Sequence, residues 1–368
     1  MISLRWRTMR RPTIPWPLPP LLLLSSTTAY QIHSPPRLHA AVPRRSRALT
    51  AEAPPCAISV IGIGGGGGNT VNRMTEAISE DEAGTVRFVC MNTDVQALSA
   101  SLAPETLQIG PSCTRGLGAG GKPEVGEEAA LESREAIEAC VAGQDMVFVT
   151  AGMGGGTGSG AAAVVAKVAR DAGALTVGVV SRPFGFEGGR RAGQADRAIA
   201  RLRESVDMLI VVANDRLLEI IPPGVSLADS FALADEVLRQ GIVGLSDIIT
   251  KPGLVNIDFA DVQTVIKDSG LALLGVGTGT GRSRAEDAAE AAISSPLLDL
   301  PLLQARRAVF TVVGGETLTL QEVNTVATRL SEVLDEDANI IFGATVDPTY
   351  GDDELTVTMV ATDFGDDV

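Results

Sequence analysis

Asp145-Met-Val-Phe-Val-Thr150 runs into Ala151-Gly152-Met153-Gly154-Gly155-Gly156-Thr157-Gly158-Ser159-Gly160, and from Ala161 to Arg170 the chain is almost entirely Ala and Val. An apolar, β-branched run of that length predicts a buried strand. The Ala/Val-rich segment predicts a helix, so the glycines form a strand-to-helix turn rather than a linker. Glycine there lets backbone N–H groups approach a ligand in conformations closed to other residues. The helix start adds donors without intrahelical partners and the positive end of the helix dipole. With the hydroxyls of Thr157 and Ser159, the turn predicts a phosphate cradle.

A second glycine run lies upstream. Ala57-Ile-Ser-Val-Ile-Gly62-Ile-Gly64-Gly65-Gly66-Gly67-Gly68-Asn69 again predicts a strand ending in glycines, followed by a helix over 69–79. Gly62, Gly64 and Gly67 satisfy G-x-G-x-x-G, a weak signal alone. A Rossmann oxidoreductase using NAD is therefore one reading. It explains this upstream run, gives the Gly152–Gly160 run no role, and has only Asp94 as an acidic ribose reader. A Walker-type loop fits worse, because Gly121-Lys122 is followed by Pro123 where Ser or Thr is needed. Two phosphate loops about ninety residues apart imply one nucleotide clasped from two sides.

The 368 residues suit two domains. Residues 1–50 contain eight Arg and no acid, which leaves 22 basic against 45 acidic residues in 51–368. A body that acidic lacks the electrostatic footprint of a nucleic-acid binder, so no nucleic-acid partner is expected. Both histidines, His33 and His39, fall in the first fifty residues. Ser-His-Asp and Cys-His catalysis and His-ligated zinc are thereby excluded from the body, leaving acid–base and metal work to carboxylates. Cys56, Cys90, Cys113 and Cys140 show no C-x-x-C spacing, which fits a reducing compartment.

The leader reads as an address. Met1 to Arg11 is Arg-rich, Pro17 to Leu24 ends in four leucines, and Ser25-Ser-Thr-Thr-Ala29 supplies small residues for cleavage. Tyr30 to Thr50 continues basic, acid-free and rich in Ser, Pro and Ala, like a transit peptide. A signal followed by a transit-like stretch resembles the bipartite presequence of proteins sent into plastids of secondary endosymbiotic origin. A mitochondrial presequence, with the matrix as destination, is the alternative. The body has no apolar run near twenty residues, so no direct membrane insertion is expected.

From Ala57 to Ala213 strands and helices alternate. Strands are predicted over 57–63, 86–91, 145–150, 174–180 and 207–212, with a weaker one near 106–109; helices are predicted over 69–79, 124–141, 160–171 and 190–204. That alternation predicts a Rossmann-like parallel sheet covered on both faces, with ligands bound outside the carboxyl ends of its strands. An amphipathic helix from Leu227 to Leu245 follows. Beyond Gly253, helices over 258–268, 283–293 and 319–334 interleave strands near 271–276, 308–313, 339–346 and 355–361, predicting a smaller α/β domain.

Four motifs together resemble the FtsZ family of tubulin-like division GTPases: Gly152-Met-Gly-Gly-Gly-Thr-Gly-Ser-Gly160, Gly64 to Asn69, Gly116-Leu-Gly-Ala-Gly-Gly-Lys-Pro-Glu-Val-Gly126 and Asn256-Ile-Asp-Phe-Ala-Asp261. The resemblance runs from about Ala57 to the C-terminus. It implies a GTP-driven, head-to-tail homopolymer forming a constricting ring, with GTP/GDP and Mg²⁺ as cofactors. After the presequence (1–52) read from the leader, it also implies a GTP-binding domain (53–225), a central helix (226–250) and a C-terminal domain (251–368). In the family a linker and a short adaptor-binding peptide follow the body; this sequence stops at Val368, so recruitment is expected through a tail-bearing paralogue. A tail-less co-polymer that leaves most turnover to such a paralogue is the alternative.

The resemblance also assigns roles. Gly65, Gly66, Gly67, Gly68, Asn69, Gly120, Gly152, Met153, Gly154, Gly155, Gly156, Thr157 and Gly158 would surround the phosphates, with Gly118 to Gly121 flanking the γ-phosphate and Mg²⁺. No protein side chain is assigned as a metal ligand. Asp235 would accept the N1–H and N2–H donors of guanine, Asn214 would serve O6, and Phe231 would stack on the base. On residues alone Phe231 reads as core and Asn214 as a turn residue. Glu187 and Arg191, four apart at a predicted helix start, suit ribose and phosphate; alone they would be a surface ion pair. Asp258 and Asp261 by themselves read as an N-cap and a first-turn acid. The resemblance instead places Asn256, Asp258 and Asp261 against the GTP of the next subunit, where they would position and polarise the attacking water.

Overall fold

The computed structural model describes residues 56–77, 86–218, 225–250, 254–255, 257–295, 302–335 and 337–364. Contacts divide the chain into Met1–Ala51, which holds the predicted presequence and lies outside the described residues, and Glu52–Val368. The second unit is built on one sheet with strands β1 Ile58–Ile63, β2 Val86–Asn92, β3 Glu105–Gln108, β4 Met146–Gly152, β5 Leu175–Arg182, β6 Met208–Ala213, β7 Gly270–Thr280, β8 Arg307–Gly314, β9 Asn339–Val346 and β10 Glu354–Thr362. Their spatial order is β3-β2-β1-β4-β5-β6-β7-β10-β8-β9. Every pair from β3 to β7 is parallel, β10 is antiparallel to both its neighbours, and β8 and β9 are parallel.

Helices α1 Gly64–Ala77, α2 Val95–Ser99, α3 Pro111–Thr114, α4 Pro123–Glu132, α5 Arg134–Val141, α6 Thr157–Asp171, α7 Gly189–Arg203, α8 Asn214–Leu217, α9 Leu227–Thr250, α10 Phe259–Ile266, α11 Arg284–Ile293 and α12 Leu320–Ser331 cover the sheet. Period-two alternation divides the strand side chains between two cores. Val60, Phe148, Val179 and Ile210 face Leu238, Ile242 and Leu245 of α9. Ile61, Val147, Val149 and Leu209 face Ala162, Val165 and Ala169 of α6. The α9 core also takes Val262, Val265 and Ile266 from α10 and Val309 and Val360 from the C-terminal strands. One apolar cluster therefore joins both halves of the chain. Among the described residues no helix is long and apolar enough to cross a membrane.

Four expectations need correction. Helix α1 starts at Gly64, five residues before the predicted helix, so Gly64–Gly68 form its first turn despite glycine's poor propensity. The predicted helix 124–141 breaks at Ser133. There Ser133 Oγ accepts Gly110 N–H at 2.9 Å, and Glu132 accepts Ser112 and Cys113 N–H at 2.8 and 3.0 Å. Those bonds, Ser112's first, hold the Glu132 carboxyl down to about 2. The long helix continues to Thr250. Strand β7 extends to Thr280 because Gly275, Gly277 and Gly279 form a period-two row under α11. A Cβ on any of the three would come within 2.4 Å of an α11 carbonyl oxygen.

Candidate nucleotide site and the acid pair at the opposite edge

The two glycine runs meet at the carboxyl ends of the adjacent strands β1 and β4. A Cβ on Gly67 would lie 2.2 Å from Thr150 O, and one on Gly66 would lie 3.0 Å from the Gly152 backbone. A Cβ on Gly158 would lie 2.7 Å from Gly152 O, and Gly160 lies against Pro123 O of α4. The runs thus interlock as one cradle that only glycine permits. Gly65, Gly66 and Asn69 are exposed at its mouth, while Gly67 and Gly68 are buried. Gly65, Gly155, Gly120 and Gly121 face open space, with nothing within 4 Å of a built Cβ.

Members of the signature turn divide by what their groups already hold. Met153 is buried and donates its N–H to Ser181 O at 2.9 Å. Gly154, at φ +94°, donates to Ser159 Oγ at 2.8 Å, a bond that shapes the turn from inside. The first turn of α6, from Thr157 and Gly158 onward, supplies donors without intrahelical partners. Thr157 Oγ1 also lies 2.7 Å from Thr93 Oγ1, tying the turn to the end of β2. Asp94 is committed elsewhere, capping α2 through Gln96 and Ala97 N–H.

Beyond the cradle, β5 and β6 deliver a second group. Glu187 lies in a 3₁₀ turn before α7 rather than on the helix with Arg191, because Gly188 at φ +99° separates them. The pair still closes, at 2.9 Å from Arg191 Nη1 to Glu187 Oε2, and Glu187 Oε1 accepts Phe184 N–H at 2.9 Å. Phe184 is buried, stacks on Phe186 at 5.1 Å and meets the edge of Phe231 at 5.3 Å. Phe231 itself is 39 % exposed.

One turn along α9, Asp235 Oδ2 lies 3.3 Å from Arg73 Nε of α1. Burial pushes the Asp235 carboxyl up, against the pull of Arg73 and Thr70. Asn214 heads α8 directly after β6; it is buried, and its Oδ1 has no hydrogen-bond partner. A buried orphan acceptor is costly unless something else satisfies it. Arg73 and Phe184 are given no role by the sequence analysis. Arg73 alone had a local signal, one helical turn after Asn69.

The acid loop is elsewhere. Helix α9 leaves the carboxyl edge beside Phe184 and runs 24 residues, about 36 Å. Ser269, just after α10, donates its N–H to Asp207 O at 2.9 Å, at the amino edge of β6. Asp258 and Asp261 are therefore on the helix that meets the edge opposite the cradle. Both are exposed. Asp258 holds the N-cap position of α10, but its carboxylate makes no capping bond; its carbonyl takes the Asp261 and Val262 N–H groups instead. The acid pair is not consumed by helix capping. Asn256 lies outside the described residues.

A phosphate cradle on a parallel sheet, extended through β7 into a second α/β half, defines a tubulin-type nucleotide-binding protein. The Tubulin/FtsZ family GTPase-domain model matches residues 57–222, and the FtsZ family C-terminal-domain model matches residues 270–365. An empty FtsZ dimer from M. jannaschii is 43 % identical, with a TM-score of 0.79, over 84 % of this chain and 91 % of that one. The chain belongs to the Tubulin/FtsZ family and is a GTPase. The fold is also that of CetZ1 from Haloferax volcanii, a GDP-bound monomer, at 23 % identity and a TM-score of 0.72 over 83 % of this chain and 93 % of that one. CetZ2 from the same organism, a GTPgS-bound protofilament, is 22 % identical with a TM-score of 0.70, over 83 % and 92 %.

Proposed function

We propose that this GTPase polymerises head to tail and that its hydrolytic site is assembled between consecutive subunits of a plastid division ring. The carrying observation is the separation of an open phosphate cradle from an uncommitted acid pair at the opposite edge of the sheet. A single chain does not bring them together. Stacking copies along that axis sets the Asp258–Asp261 face of one subunit over the cradle of the next. The FtsZ dimer and CetZ2 protofilament among the similar structures favour such an assembly.

In this reading Gly65, Gly66, Asn69, Gly120, Gly155, Gly156, Thr157 and Gly158 hold the phosphates, while Gly67, Gly68, Gly152, Met153 and Gly154 shape the turns behind them. Glu187 takes the ribose, and Arg191 turns from it toward phosphate. Asp235, Asn214 and Phe231 read the base, and the orphan Asn214 Oδ1 and open cradle fit such a ligand. Mg²⁺ suits the site as a phosphate-held ion. Among the described residues no three His, Cys, Asp or Glu side chains gather to bind a metal, and Mg²⁺ commonly relies on phosphates and water. It would supply charge neutralisation on the β- and γ-oxygens. Asp258 and Asp261, with Asn256, would orient the water and take its proton; phosphoryl transfer needs mainly that positioning.

GTP turnover per subunit should rise with protein concentration and vanish on dilution below the polymerisation threshold. Turnover per subunit that stays constant into the dilute monomer range would defeat the shared-site reading.

The acid-free, Arg-rich leader supports plastid delivery. Residues 1–50 should carry a fluorescent reporter into the stroma, and removal of residues 1–29 should block its import. A reporter that reaches the mitochondrial matrix instead would reject the plastid. A tail-bearing paralogue with the same two faces could enter the same filament, and we propose it as the membrane-recruiting partner.

A further inference from the structure

The head of α10 is exposed, but its tail is gripped from both halves of the chain. From the GTPase half, Arg170 near the end of α6 pairs with Asp268, and its Nε lies 3.4 Å from Asp207 Oδ1. Asp207 is buried and fixed in turn. Its Oδ2 accepts Thr176 N–H at 2.8 Å, and its carbonyl accepts the N–H groups of Ser269 and Gly270 at 2.9 and 3.1 Å. From the C-terminal half, Arg307 at the start of β8 donates through Nη1 to Thr264 O and Lys267 O at 3.3 and 3.5 Å. Its Nε lies 3.1 Å from Asp363 Oδ2. The carbonyls that Arg307 meets are at the C-terminal end of α10, where intrahelical partners run out and the helix dipole is negative.

The backbone marks the same two grips. Among the described residues, the non-glycine residues at positive φ are Arg115, Asp268 at 51° and Asp363 at 60°. The latter two are the acid partners of the two arginines. Left-handed backbone at a residue with a side chain is strained and persists where the surroundings over-determine it. Exposed ion pairs contribute little to stability, and Asp268 is exposed. Stability alone therefore gives a poor account of two strained acids, each paired to an arginine that reaches the same helix end.

We propose that Arg170 and Arg307 are positioning residues for GTP hydrolysis, clamping α10 between the two halves so that Asp258 and Asp261 meet the next subunit's nucleotide in one orientation. This rests on the interfacial role of the acid pair given above. Misplacement by about 1 Å costs up to a hundredfold in rate, so a helix held by one half only would hydrolyse poorly within an intact filament. Helix α6 serves the cradle at its head, through Thr157, and the clamp at its tail, through Arg170.

The test uses the full chain carrying Arg170→Ala, Arg307→Ala, Arg170→Lys or Asp268→Asn, with Asp261→Ala as reference. Asn tolerates the left-handed backbone, so Asp268→Asn removes charge without adding strain. Four quantities are read: GTP affinity of the dilute subunit, pelleted polymer, turnover per polymerised subunit, and hydrogen exchange of the α10 amides. Both Ala variants and Asp268→Asn should lose about tenfold in turnover per polymerised subunit, with GTP affinity and polymer mass unchanged and α10 amides exchanging faster. Arg170→Lys should recover most of the loss. Wild-type turnover and exchange in the clamp variants, beside an inactive Asp261→Ala, would overturn the clamp alone. A loss that tracks GTP affinity or polymer mass would overturn it too, as general destabilisation. An active Asp261→Ala polymer would reject the acid-pair reading and with it the purpose of the clamp, while the exchange data would still show whether α10 is held.

Discussion

Asp261→Ala should abolish hydrolysis in the filament while leaving the isolated subunit's hold on GTP unchanged. The side chain is exposed in the first turn of α10, on the helix that joins the amino edge of the sheet. The cradle opens at the carboxyl edge, roughly 20 Å away along β6. The substitution therefore removes nothing that touches the subunit's own nucleotide. A positioned general base contributes about a hundredfold to ten-thousandfold to a reaction, so turnover per polymerised subunit should fall by at least two orders of magnitude. Filaments should still form on GTP and outlast those of the wild type, since the nucleotide at each junction persists.

Mixing gives the sharper arm. Arg191→Ala weakens nucleotide binding at the cradle but keeps the acid pair, and Asp261→Ala does the reverse. Neither alone hydrolyses well, yet a mixed filament contains junctions of an intact cradle with an intact acid pair. Activity should return on mixing, measured as phosphate released against polymer mass. A mixture no more active than the mean of its parts would place catalysis within one subunit.

The parallel sheet was legible because its strands are apolar runs bounded by glycine and polar residues. Asp145–Thr150 and Ala57–Ile63 lie within two residues of β4 and β1 at either end. What the sequence concealed is tertiary in origin. Gly64–Gly68 form a helical turn because α1 must press on β4, which outweighs glycine's propensity. The glycines of β7 read as loop residues until α11 is laid across them. Ser133 breaks a good helical pattern for a bond to Gly110, more than twenty residues upstream. At the candidate site the glycine runs announced themselves, but nothing local tells that Met153 and Gly154 spend their N–H groups inside the fold. Arg73 and Asp235, or Arg170 and Asp268, are too distant in sequence for any period to connect. Asp258 is a different case. Its local signal was that of a cap, and only its missing capping bond separates that reading from one in which the carboxylate is free to act.

Asp235→Ala should weaken GTP binding by about a hundredfold or more. The carboxylate is only 15 % exposed, with Phe231 one turn away and Arg73 at 3.3 Å. In the proposed pocket it accepts both donors of the guanine edge. An unmatched buried donor costs about 1–3 kcal/mol, and the variant leaves two, besides stranding Arg73. Asp235→Asn should do no better with GTP, because one acceptor becomes a donor facing a donor. Xanthosine triphosphate carries an oxygen where guanine has its amino group, so it should bind this variant better than GTP does, reversing the wild-type preference. Acid should act in the same direction. Burial holds the Asp235 carboxyl above its ordinary value, and the protonated group cannot accept two hydrogen bonds. GTP affinity should therefore fall as pH drops through that raised pKa, earlier than an exposed aspartate would allow, and Asp235→Asn should lack this step. Titration calorimetry with GTP, ATP and xanthosine triphosphate across the acid range reads all of these. Equal binding of ATP and GTP by the wild type, or an unchanged preference in Asp235→Asn, would remove Asp235 from the base pocket.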